Sequence, residues 1–89
     1  MSENNTQVKG QRAKIVVWSA SWCGYCHALM DWLNDSGITY KEKDGESNPN
    51  LAGYPTTEIY DGDKLVAVVE GFDRAKILDA IAKIEGKKA

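Results

Sequence analysis

From Lys14 the chain runs KIVVWS, a continuous apolar and β-branched stretch ending at Ser19. A run without polar alternation reads as a strand covered on both faces. After a short loop, Cys26, Leu29, Met30 and Leu33 fall at i, i+3, i+4 and i+7, a single helical stripe. Ser36-Gly37 closes that helix, with glycine in its usual C-terminal place. ITYKEKD, from Ile38, alternates apolar and polar residues as a half-exposed strand would. GESNPNLAG follows, rich in turn formers, with room for a helical turn or two at most. TTEIY and LVAVVE flank DGDK, a hairpin signal. In DRAKILDAIAKIEG, Asp73 caps a last helix, Ile77, Leu78, Ile81 and Ile84 form its buried stripe, and Gly86 ends it.

This order, β-α-β-β-β-α, predicts one compact α/β domain around a mixed four-stranded sheet. A helix between the first two strands makes them a parallel pair, and the later hairpin adds antiparallel strands. Residues 1–12 read as a flexible N-terminal tail, 13–86 as the domain and 87–89 as a C-terminal tail. Eighty-nine residues read as one small domain with little room for a second functional module.

Composition changes this picture little. The chain is 43% hydrophobic and 27% charged, with a net charge of -2, so it reads as soluble and globular. No basic face points to nucleic acid, and KIEGKK is a helix end with solvated lysines. No apolar run approaches the roughly 20 residues of a membrane helix. MSENNTQVKGQR lacks a signal-peptide core; if Met1 is the native start, a cytoplasmic setting is expected. Structural disulfides are rare there, which turns attention to the chemistry of the two cysteines.

Cys23 and Cys26 are separated by Gly24-Tyr25 at a strand-to-helix junction, and His27 follows. The motif fits three chemistries. As a redox pair, Cys23 sits at the first helical turn, where unpaired N–H groups and the helix dipole stabilise a thiolate. Cys26, one step inward on the apolar stripe, is then the resolving thiol and keeps the higher pKa. As a haem attachment, CGYCH is formally complete with His27 as axial ligand, but no leader is visible and no helical wrap is predicted. As a zinc site, Cys23, Cys26 and His27 supply three of four ligands at poor spacing. His27 reads first as a surface or partly buried residue of the helix. A CxxC beside a βαβ pattern favours redox chemistry.

VVWSASWCGYCHAL resembles the active-site segment of the thioredoxin superfamily, and AGYPTTEIYDGDKLVAVVEGF resembles its later stretch of proline, hairpin and terminal glycine. The resemblance spans about residues 13–86. It implies the thioredoxin fold with a shortened or missing middle helix. It also implies that Pro55 follows a cis bond facing the cysteines, with Trp22, Gly24, Tyr25 and Tyr54 around Cys23 as a substrate-contacting apron. A cis-proline leaves the Tyr54 backbone able to pair with an extended substrate.

Departures divide the resemblance. Tyr25, rather than proline, precedes the second cysteine, as in glutaredoxins, and Val17 stands where thioredoxins bury an aspartate. Glutaredoxins that use glutathione carry a lysine where this chain has Ala20, and a glycine pair with an aspartate where it has Gly71-Phe72-Asp73. Of these, Gly71 and Asp73 could hold glutathione. The expectation is an oxidoreductase of protein disulfides with Cys23 as nucleophile and Cys26 as resolving thiol. It would be monomeric, without a bound cofactor or metal, and re-reduced by thioredoxin reductase or glutathione. A glutathione-dependent glutaredoxin and an iron–sulfur module, the latter suggested by the missing proline at Gly24, are the alternatives.

Overall fold

A computed structural model describes residues 11–86; the expected tails lie outside the described residues, except for Gln11 and Arg12. The elements are β1 (Ala13–Ser19), α1 (Gly24–Asp35), β2 (Lys41–Asp44), a 3-10 turn (Gly45–Ser47), β3 (Thr56–Asp61), β4 (Lys64–Glu70) and α2 (Arg74–Gly86). They form one four-stranded sheet in the order β2-β1-β3-β4. β1 and β2 are parallel, while β1–β3 and β3–β4 are antiparallel. The predicted α/β architecture and its strand count hold, and the middle helix is reduced to the 3-10 turn.

Register explains which residues are inside. Opposite Ile15 and Val17 of β1 stand Ile59 and Thr57 of β3, and Thr57 in turn faces Val69 of β4. Ile15, Val17, Ile59 and Val69 share one core cluster with Cys26, Leu29 and Leu33 of α1 and Ile77, Ala80 and Ile84 of α2, and Thr57 is buried among them. β1 therefore alternates, with Ala13, Ile15 and Val17 buried and Lys14 exposed, and is not covered on both faces as its composition suggests. Val16 and Trp18 sit half-exposed on the opposite side, where the Lys43 ammonium lies 5.3 Å from the Trp18 ring centroid.

Three further expectations need correction. The strand expected from Ile38 begins only at Lys41, and all four of its residues are exposed. It is an edge strand held by β1 through backbone pairing, and charged side chains suit an edge. Leu78 is 48% exposed, and Ala80 takes the inward place on α2. Helix geometry requires this: Ile77, Ala80 and Ile84 lie at i, i+3 and i+7, and Leu78 points away from that line. Gln11 and Arg12, grouped with the tail, are tied to the domain. Gln11 exchanges hydrogen bonds with Thr39, and the Arg12 and Ala13 N–H groups both donate to Glu85 Oε2, at 2.8 and 3.0 Å.

The hairpin and caps follow the sequence. Gly62 adopts φ 67° in the turn between Asp61 and Lys64, a conformation glycine enters without penalty. Asp73 Oδ1 accepts the Lys76 N–H and caps α2.

Candidate active site

The cysteine pair lies at the C-terminal end of β1, where the strand passes through Ala20, Ser21 and Trp22 into α1. Cys23 is the N-cap of α1, with extended backbone, and its Sγ accepts the Cys26 N–H at 3.1 Å. A backbone bond from Cys23 N to Ala20 O, 3.1 Å, closes the turn. Cys23 and Cys26 are disulfide-bonded, with Cα atoms 5.3 Å apart. Their burial is unequal in the expected sense: Cys23 keeps 6% exposure and Cys26 none. Cys26 is held by the apolar stripe that packs α1 on the sheet, so the residues that make the helix also bury the second sulfur.

The surrounding surface is aromatic. Trp22 is 67% and Tyr25 71% exposed, well outside the core. The Trp22 and Tyr54 rings meet edge to face with centroids 5.3 Å apart. The Tyr54–Pro55 bond is cis, as the resemblance implied. Gly71, at φ 83°, donates its N–H to Pro55 O at 2.8 Å, which sets it beside the proline. Trp22, Tyr54, Pro55 and Gly71 are thus linked by direct contacts around the start of β3. Gly24 and Tyr25 open α1, with free space around Gly24.

Asp73 lies two residues beyond Gly71, but its carboxylate is engaged in capping α2. Next to it, Phe72 stacks at a tilt on Trp32 and carries Arg74 over its ring. Ala20 is buried, so this position is part of the core rather than a place for a charged side chain. His27 is exposed and directs Nε2 toward Ser21 O at 3.5 Å. Among the described residues, no three His, Cys, Asp or Glu side chains converge as ligands.

Two residues that no motif singled out brace the aromatic surface from outside the cysteine pair. Gly45 O accepts from the Tyr54 hydroxyl at 2.9 Å, and Glu46 Oε2 accepts from Trp22 Nε1 at 2.8 Å. Both belong to the 3-10 turn that replaces the middle helix. Beside them runs a shallow groove lined by Ser19, Ser21, Glu42, Lys43, Asp44 and Glu46. A glycine directly after a predicted strand was the only trace of this in the sequence, and nothing there marked Glu46.

A four-stranded sheet of this order, with a CxxC at the head of the first helix and a cis-proline just before β3, defines the thioredoxin fold. Thioredoxin f from spinach chloroplast (long form) superposes with a TM-score of 0.68 at 19% identity, over 93% of this chain and 83% of its own. Thioredoxin of Plasmodium falciparum gives 0.64 at 18% identity, covering 90% and 88%. Thioredoxin of Fasciola hepatica gives 0.66 at 18%, covering 89% and 85%. Identities this low carry the fold and nothing finer.

The sequence model of the Glutaredoxin family matches residues 15–55, from β1 through the cis-proline. No curated protein matches the sequence. Fold, cysteine pair and family match together support a thioredoxin-superfamily protein and a thiol–disulfide oxidoreductase.

Proposed function

We propose that the protein reduces disulfides of protein substrates by dithiol exchange through Cys23 and Cys26. The observation that carries this reading is the asymmetry of the pair: Cys23 at the helix N-cap with residual exposure, Cys26 fully buried behind it. Once the pair is reduced, the N–H that Cys23 Sγ now accepts, with the positive helix end, favours a Cys23 thiolate. That thiolate attacks one sulfur of a substrate disulfide. The substrate S–S bond breaks, and the departing thiolate takes a proton from solvent. Cys26 then gives up its proton and attacks Cys23 Sγ in the mixed disulfide, expelling the second substrate thiolate. Two electrons have passed to the substrate, and the Cys23–Cys26 bond is restored.

The next cycle requires two electrons from outside, from a flavin-dependent thioredoxin reductase or from glutathione. The proposed mechanism uses no resident cofactor and treats the chain as a monomer in the cytoplasm. A second reading, a glutathione-dependent glutaredoxin, draws support from the family match over residues 15–55 and from Gly71 beside Pro55. The buried Ala20 and the engaged Asp73 carboxylate weigh against it.

Two experiments test the reading. Cys26→Ser should accumulate a mixed disulfide between Cys23 and a protein substrate, visible by mass spectrometry, while Cys23→Ser forms none. Insulin reduction should proceed with thioredoxin reductase as electron source; turnover with glutathione alone would instead establish the second reading.

A further inference from the structure

Trp22 is the largest exposed apolar side chain next to Cys23, yet it is held from two sides. Its indole N–H donates to Glu46 Oε2 at 2.8 Å, and its ring stands at 89° to that of Tyr54. Tyr54 is anchored in turn by its hydroxyl on Gly45 O. Both anchors come from one 3-10 turn, which is itself fastened by its own bonds. Asp44 Oδ1 accepts the Glu46 N–H at 2.9 Å, and Ser47 Oγ donates to Asp44 O at 2.8 Å. The turn also fits the aromatic pair closely. A Cβ on Gly45 would collide with Tyr54 Cε1 and stand 3.0 Å from Ser19 O.

We propose that Glu46 is a positioning residue for macromolecular substrates: it fixes the Trp22 indole as a preset contact surface beside Cys23. This rests on the protein-disulfide reading above. An exposed indole free to change rotamer must be ordered each time a partner docks, at a cost in affinity. One already held by a hydrogen bond and an edge-to-face ring contact presents its area without that cost. Glu46 touches neither sulfur, so its effect passes through Trp22 alone. A polypeptide that covers the apron feels it, whereas a small disulfide that reaches only Cys23 does not.

The test compares Glu46→Ala, Glu46→Gln and the wild type on insulin and on a small aromatic disulfide. For Glu46→Ala, KM on insulin should rise about three- to tenfold, the size expected from one lost charged but partly exposed hydrogen bond. With kcat on insulin and the rate on the small disulfide held within about twofold, the loss is one of binding rather than chemistry. Glu46→Gln keeps an acceptor oxygen and should restore KM, which separates position from charge. Exchange of the Trp22 indole N–H, followed by nitrogen-edited NMR, should quicken in Glu46→Ala and stay slow in Glu46→Gln. Tyr54→Phe, which removes the other anchor and keeps the ring, should raise KM in the same direction.

An unchanged insulin KM in Glu46→Ala, or a parallel fall on the small disulfide, overturns the proposal alone. A wild type that turns over the small disulfide but no protein disulfide overturns the reductase reading and this proposal with it.

Discussion

Thr57 has no exposure, faces the covered side of the sheet, and leaves its Oγ1 without a hydrogen-bond partner. Its strand neighbours there are Val17 and Val69, both apolar and buried. A hydroxyl placed so forfeits its hydration and gains nothing in exchange. Thr57→Val keeps the branched shape, so it should raise stability by about 1 kcal/mol and the thermal midpoint by about 4–8 °C. Calorimetry checks this. On the other side of the sheet, Tyr60 donates its phenol to Glu58 Oε1 at 3.0 Å. That bond, then burial, then the negative charge of Glu58 raise its pKa above the ordinary 10.0. Because the folded value is the higher one, the fold favours the neutral phenol. The stability it contributes is complete below pH 10 and is lost as pH climbs through the raised value. Absorbance titration should show the Tyr60 phenol ionising late, and earlier in Glu58→Gln, and Tyr60→Phe should flatten the alkaline decline in urea midpoint. Neither residue was legible beforehand, since a threonine or tyrosine in a strand gives no sign of which neighbour meets its hydroxyl.

Elements were legible in proportion to how much of their sequence faces the core. Four residues of α1 fall on one stripe, and all four are buried. β2 had no such signal because nothing in it is buried; pairing with β1 alone decides where it starts and stops. In α2, Leu78 misled because hydrophobicity marks a residue type, whereas orientation belongs to the helix. The 3-10 turn shows the same limit. Its Gly45 is required by a ring nine residues away in the chain, which no local pattern encodes. Gly45→Ala must displace Tyr54 or shift backbone at Ser19, and overpacking of this kind costs about 1–3 kcal/mol. A lowered denaturation midpoint would be the readout. A midpoint equal to the wild type would show that the turn gives way without strain.

At the scale of the whole molecule, class and order of elements came through because a buried strand, a striped helix, a hairpin and a capped helix each speak for themselves. At the site, the pairing of Cys23 with Cys26 and the cis bond before Pro55 agree with what spacing and resemblance led us to expect. What stayed hidden are contacts between distant segments. Glu85, near the end of α2, accepts the N–H groups of Arg12 and Ala13, and Arg12 Nε lies 2.9 Å from Asp61 Oδ1 at the hairpin. These bonds bring the first and last described segments together across more than 70 positions of sequence.

A carboxylate bound to two backbone N–H groups at the opposite end of the chain makes the domain nearly a closed loop. Its order of elements is therefore open to circular permutation. A short flexible linker from residue 86 to residue 11, with new ends cut between Gly62 and Asp63 at the exposed hairpin tip, preserves every element and the whole core. Such a permutant should fold and keep the reactivity of Cys23 toward a thiol-labelling reagent after reduction. Opening the chain within α1 instead should abolish both.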